Sequence, residues 1–225
     1  MRLGHGDQFH RVSLATGERG SAGEAGANVG KGGGDEAHPR RYSRAVPARY
    51  PSLWLFTDER QGDALWSALR RLPPGSGVVF RHYSLSPAER VRLFVKVRRR
   101  AQARRLVVVS AHMLLPGADG VHKAVRGAGL RTWPAHDRAE ALAGLRAGAG
   151  LLFVSPVFPT RSHPGAASLR PAQAARVARG LRVRVIALGG MNARRWRAAR
   201  ACGFDGWAGI DGWSENKGRR GKATP

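Results

Sequence analysis

Short runs of β-branched, leucine and aromatic residues alternate along the chain with Ala/Leu/Arg stretches of helical period, a pattern that predicts repeated βα units around a parallel sheet. The runs fall at residues 53–56, 78–80, 106–109, 120–122, 130–133, 151–154, 183–188 and 206–210. Eight strands of this kind close a (β/α)8 TIM barrel. Helix signals fill most of the gaps. Ser86, Pro87 and Glu89 form a capping box, with Val91, Phe94 and Val95 as the expected buried stripe. Asp137 and Glu140 repeat the capping pattern before Leu142 and Leu145, Pro171 opens and Gly180 closes a further helix, and Asn192 caps one that ends at Gly203. The gap 110–119 carries Pro116-Gly117 and is too short for a full helix, so one unit is trimmed.

The same pattern is missing at both ends. Residues 1–48 hold Gly32-Gly33-Gly34 and almost no apolar periodicity, and are expected to be disordered or to stem from an upstream start codon. Residues 214–225 are expected to form a loose basic tail. The barrel then occupies residues 50–213, well under the roughly 250 typical of the fold. No run of 18 apolar residues occurs and the start lacks a signal-peptide stretch, which predicts a cytoplasmic protein without a membrane partner. A single cysteine, Cys202, excludes an intrachain disulfide and any Cys-rich metal cage.

Charge changes the picture in one respect. The chain carries 39 Lys plus Arg against 15 Asp plus Glu, a formal net charge of +24, and most of the excess lies between residues 51 and 213. Arginine far outnumbers lysine, as a GC-rich genome produces without selection for binding. A positive field of this size also attracts phosphorylated substrates or nucleic acid. Arg90, Arg92, Lys96, Arg98, Arg99 and Arg100 share one predicted helix but lack interleaved aromatics for stacking on single strands, so nucleic acid is the outside alternative.

In βα barrels the active site lies at the carboxyl ends of the strands, and phosphate commonly binds at the loops after strands seven and eight. Strand seven runs into Gly189-Gly190-Met191-Asn192, where two glycines let an anion reach backbone N–H groups at a helix start. Strand eight ends with Gly209 and Ile210. Gly189, Gly190, Gly209 and Ile210 are therefore the expected phosphate-binding residues.

Three further segments carry a family resemblance. Ser155-Pro156-Val157-Phe158-Pro159-Thr160-Arg161-Ser162 resembles the Gly-Pro-Val-Phe-Pro-Thr-x-Thr-Lys stretch of the thiamine phosphate synthase and thiazole tautomerase superfamily. Val185 to Met191 resembles its Val-Ala-Ile-Gly-Gly-Ile, Ala118 to His122 its Ala-Asp-Gly-Val-His, and Leu53 to Asp58 its opening Leu-Tyr-Leu-Val-Thr-Asp. The resemblance implies a transferase that joins a hydroxymethylpyrimidine diphosphate to a thiazole phosphate, with magnesium and cationic residues stabilising the departing diphosphate. Arg81 aligns with the diphosphate-contacting Arg, but Tyr83 stands where a Lys is expected. Ser110-Ala111 replaces Asn-Asp after strand three, and Lys123-Ala124-Val125-Arg126 lacks the acid expected after His122. Both magnesium carboxylates are missing, so no metal ligand is assigned.

The Ser-x-His expected after strand five reads Pro134-Ala135-His136, and the Lys expected beyond Thr160-Arg161-Ser162 is His163. Thr160, Ser162 and His163 are candidate substrate-binding residues, and Lys123, Arg126 and Arg161 are further cations that can neutralise a diphosphate. Arg81 and His136 are the candidate catalytic residues. His136 can shuttle protons near neutral pH, the chemistry that the metal-free thiazole tautomerase needs. His122 is expected to be structural, and His82 and His112 receive no role. A catalytically silent paralogue that only binds a phosphate ligand is the remaining alternative.

Overall fold

The computed structural model describes residues 50–160 and 168–213, so the two expected tails lie outside the described residues. The strands are β1 Leu53–Phe56, β2 Gly77–Phe80, β3 Val107–Ala111, β4 Gly120–His122, β5 Leu130–Ala135, β6 Leu151–Val154, β7 Arg184–Ala187 and β8 Gly206–Gly209. Each pairs in parallel with the next, and β8 returns to β1 to close the barrel. β3 and β5 run further than their apolar cores suggest, because Ala111 registers with His122 and Ala135 with Val154. Pairing to a neighbour holds these small residues extended where hydrophobicity alone does not.

Among the described residues five α-helices surround the barrel: α1 Ala64–Arg71, α2 Pro87–Gln102, α3 Arg138–Arg146, α4 Arg170–Val177 and α5 Ala193–Ala201. Ser86 and Glu89 close the expected capping box on α2, Asp137 caps α3 through the amide of Glu140, and Asn192 caps α5 through the amide of Arg195. The expected stripe on α2 needs correction. Val91 and Val95 are exposed, and the buried positions are Arg90, Phe94, Val97 and Ala101. Their spacing of four, three and four is helical, but it opens on an arginine that a hydrophobicity pattern discards.

Between β3 and β4, and again between β4 and β5, no helix forms. The links 112–119 and 123–129 are shorter than the dozen or more residues a parallel crossover ordinarily takes. They turn back through left-handed residues instead: His112 (φ 66°) and Gly117 (φ 80°) in the first, Lys123 (φ 54°), Gly127 (φ 131°) and Gly129 (φ 82°) in the second. Met113, Leu114 and Val125 are left exposed on this side.

The barrel interior is filled by Trp54, Phe56, Val79, Val109, Leu151, Phe153, Ile186 and Ala208. Phe153 stands edge-on to both Trp54 (5.3 Å between centroids) and Phe56 (4.7 Å). The alternate strand residues, among them Leu55, Val78 and Val108 on one side and Leu152, Val185 and Trp207 on the other, pack outward in two further apolar clusters. This filled barrel leaves chemistry to its rim.

Candidate active site

At the carboxyl end of β1 the chain continues through Thr57 and Asp58, and both reach across to the residue that follows β2. Arg81 donates from its amide to the Thr57 hydroxyl (3.0 Å), from Nε to the Thr57 carbonyl (2.9 Å) and from Nη2 to Asp58 Oδ2 (2.7 Å). The Phe56 ring lies 5.5 Å from its guanidinium carbon. No described residue binds Nη1. Asp58 also takes the Arg60 guanidinium at 2.7 Å and accepts the Arg60 amide. Burial raises the Asp58 pKa, but the hydrogen bonds from Arg60 and the charges of Arg81 and Arg60 outweigh it and hold the carboxyl below its ordinary value.

Arg90 ties this corner to β3. Its buried side chain donates to the carbonyls of Ala111 (2.8 Å) and Arg81 (3.3 Å) and lies over the Phe80 ring. The burial that the hydrophobic pattern missed is thus explained by two carbonyls at strand ends, each of which needs a donor.

Three of the five non-glycine residues with positive φ among the described residues follow β2, β3 and β4: His82 (φ 31°), His112 and Lys123. Backbone held in this region costs about 1–3 kcal/mol for a side-chain-bearing residue and concentrates at functional sites. His82 is buried, shares a 3.0 Å hydrogen bond with the Thr57 hydroxyl and stacks on Phe80. Burial pushes its pKa down against the charges of Glu59 and Asp58. His112 packs against Tyr83, and its pKa is lowered by burial and by the charges of Lys123 and Arg90. His82 and His112, given no role by the sequence, thus belong to the same rim as Arg81. Their position within two residues of a strand end was the available signal.

His122, expected to be structural, is buried. It lies inside the barrel between the Phe56 and Phe153 rings with Nδ1 3.0 Å from the Thr132 hydroxyl, and burial drives its pKa down to about 3. His136 follows β5 directly and is mostly exposed. The Glu140 carboxylate sits 2.7 Å from its Nδ1 and 2.8 Å from its amide. A carboxylate oxygen accepts, so Nδ1 carries the hydrogen, and Nε2 has no partner among the described residues.

Across the rim, the loop after β6 packs against the loop after β7. Val157 and Phe158 donate their amides to the carbonyls of Leu188 (2.9 Å) and Gly189 (3.1 Å), while the Arg195 guanidinium takes the carbonyl of Gly190. Gly189 and Gly190 both adopt left-handed backbone (φ 90° and 59°). A Cβ at Gly189 would lie 2.8 Å from Pro156 Cα, and one at Gly190 would strike the Pro159 carbonyl. The neighbouring loop therefore requires glycine at both positions whether or not an anion approaches them. Their N–H groups find no acceptor among the described residues. Gly209 ends β8 within reach of Met191, and the Ile210 carbonyl accepts the Gln61 side chain at 2.9 Å. Thr160 is half-buried and already partnered. Arg161, Ser162 and His163 lie outside the described residues.

The donor chemistry does not match magnesium. Ser110 turns its hydroxyl into the 112–119 link, donating to the Met113 carbonyl (2.6 Å) and accepting from the Leu115 amide (3.0 Å). Asp119 sits at the amino end of the strands, accepting the Val108 amide at 2.7 Å. Asp58 is held by two guanidiniums, and the described residues contain no cluster of three or more metal-ligating side chains. A magnesium site takes at least one carboxylate beside substrate oxygens, and the Asp58 and Asp119 carboxylates are already committed to guanidiniums and a strand amide.

A sequence profile of the family described as thiamine monophosphate synthase matches residues 55–212. Solved structures similar to this chain include a thiamine phosphate pyrophosphorylase from Pyrococcus furiosus, at 20% identity and a TM-score of 0.60 over 71% of this chain and 85% of that one. A FabK variant from Thermotoga maritima follows at 16% and 0.50, over 72% and 61%. A thiamine phosphate pyrophosphorylase from Bacteroides thetaiotaomicron gives 16% and 0.48, over 76% and 89%. At such identities the likeness shows the fold alone. No curated protein matches the sequence significantly.

Proposed function

Because the chain belongs to the thiamine monophosphate synthase family, we propose that it joins a hydroxymethylpyrimidine diphosphate to a thiazole phosphate in the cytoplasm. In this reaction the thiazole nitrogen forms a C–N bond to the pyrimidine methylene, the C–O bond to the diphosphate breaks, and its electron pair leaves on the diphosphate oxygen. Negative charge grows on the leaving group, so the protein's contribution is fixed positive charge where that oxygen departs. The observation that carries this reading is Arg81, a guanidinium anchored at the rim by Thr57, Asp58 and the Phe56 ring with Nη1 left over. Lys123 stands on an adjoining strand end and adds positive charge of the kind that, by the family resemblance, magnesium would supply. The unpartnered amides of Gly189 and Gly190, with Gly209 and Ile210 beside them, receive the thiazole phosphate. Thr160, beyond β6, orients the substrates; Ser162 and His163 carry the same assignment from the sequence resemblance.

One observation favours a second reading. The His136–Glu140 pair leaves Nε2 poised for proton transfer, which suits metal-independent tautomerisation of the thiazole. Purified protein given both substrates, with magnesium or with EDTA, separates the two. Thiamine phosphate formed in EDTA supports the metal-independent transferase, and solvent-deuterium exchange into the thiazole phosphate without coupling supports the tautomerase. Neither product from folded protein refutes both.

A further inference from the structure

Outside the barrel, the flank of α2 that faces α1 carries a cluster of positive charge unrelated to the rim. An open groove of about 720 Å³ is lined by Trp66, Lys96, Arg99, Arg100 and Ala103. A hollow of about 200 Å³ shares Trp66, Arg100 and Ala103 and adds Arg70 and Arg104. No carboxylate lines either one, and no described residue pairs with Lys96 or Arg99. The Arg104 Nε is buried without a hydrogen-bond partner among the described residues. The Arg100 guanidinium lies 4.9 Å from the Trp66 ring centroid. The helix sequence alone lacked an aromatic for stacking; folding brings one from α1.

We propose that this groove binds single-stranded nucleic acid, with a base against the Trp66–Arg100 stack and successive phosphates along Arg92, Lys96 and Arg99. These three cations stand at spacings of four and three on the exposed side of α2. At 1.5 Å rise per residue they extend over about 10 Å, a row that matches several linked phosphates better than one. Aromatic rings flanked by cations are the usual platform for unpaired strands, because every base offers a π-face and every phosphate a charge. The formal charge of +24 adds a long-range attraction to polyanions. A lipid surface fits less well, because the groove itself is lined by Lys96, Arg99 and Arg100 with Trp66 and Ala103 as its only apolar residues; the exposed Val95 lies one turn from Arg99 and outside that lining.

The test is fluorescence anisotropy of labelled oligo(U) and oligo(dT) 12-mers with the full chain across a salt series. Saturable binding is expected, with log affinity falling linearly with log salt by a slope equivalent to about two to three phosphates. The Lys96→Gln/Arg99→Gln variant is expected to reduce that slope and weaken binding at least 10-fold. Trp66→Phe is expected to lose a few-fold and Trp66→Ala roughly 5- to 100-fold. Arg197→Gln/Arg200→Gln removes equal charge from the exposed face of α5 and is expected to change affinity by less than about twofold. Equal losses in the two double variants would show that net charge alone binds and would overturn the groove. So would absence of binding, or tighter binding to phosphatidylserine vesicles or polyglutamate than to the oligomers. Trp66→Phe and the surface charge variants keep the test valid should Trp66→Ala fail to fold.

Discussion

Asp58 and Arg81, 23 positions apart in sequence, meet at 2.7 Å and bind the end of β1 to the end of β2. The pair decides where the candidate leaving-group cation points, since the same guanidinium is also fixed by the Thr57 carbonyl.

Replacing Asp58 by Asn is expected to cost about 1–2 kcal/mol in urea unfolding, toward the low end for a charge-assisted bond because the pair is partly screened by solvent. The depressed carboxyl contributes stability above its ordinary unfolded pKa, and this is lost as pH falls through the lower folded value. Unfolding midpoints for Asp58→Asn and the wild type should therefore converge on acidification below about pH 4.

His122 predicts a second, separate pH window. It is neutral and buried in the folded barrel with a pKa near 3, whereas the unfolded chain takes up its proton at about 6.5. The stability it contributes is full above about 6.5 and declines as pH drops toward 3, by an amount on the order of a few kcal/mol. His122→Asn is expected to flatten the slope of stability against pH between 6 and 4 whatever its effect at pH 7. An unchanged slope would place the proton uptake elsewhere.

Arg90→Met tests the buried cation. Loss of donors to the Ala111 and Arg81 carbonyls leaves two acceptors unsatisfied at the ends of β2 and β3. The expected cost is about 2–4 kcal/mol in thermal or urea unfolding. A cost below about 0.5 kcal/mol would show that water replaces the guanidinium there.

Gly190→Ala is expected to lower stability by about 1–3 kcal/mol, because its left-handed backbone and the Pro159 carbonyl both oppose a methyl group. Calorimetry with thiazole phosphate on the folded variant reads the second consequence. A weaker phosphate affinity is expected, since the loop that presents the two unpartnered amides must shift.

Arg81→Met is expected to reduce thiamine phosphate formation at least 100-fold with little change in thiazole phosphate affinity. His136→Asn is expected to leave the coupling reaction within a few-fold and to abolish proton exchange on the thiazole. The reverse split would exchange their assigned roles.

The runs of large apolar residues in β1 and β6 were legible residue by residue, and the short β4 also falls where the sequence places it. Caps were legible too, because Ser86, Asp137 and Asn192 act on amides three residues away. What escaped the sequence depends on distant chain. The burial of Arg90 is set by a carbonyl on β3, and Asp58 gains its partner only when the strand ends converge. Gly189 and Gly190 drew attention as a pair at a strand end, but the proximity of Pro156 and Pro159, which excludes a side chain there, was not visible. His82 and His112 carry no motif and became rim residues through backbone conformation that no hydrophobic period encodes.

The helix-free links between β3, β4 and β5 also bear on the order in which the barrel assembles. Closing a flexible loop loses entropy that grows with the logarithm of its length, and the links 112–119 and 123–129 are the shortest between paired strands of this barrel. Association of these three strands requires no helix to form or dock first, whereas β8 must return to β1 across nearly the whole domain. Val109 and Val121 are accordingly expected to show high φ-values in folding kinetics, with Ala208 near zero. The sector with the thinnest outer cover is then the one where folding begins, and closure at β8 and β1 is its last step.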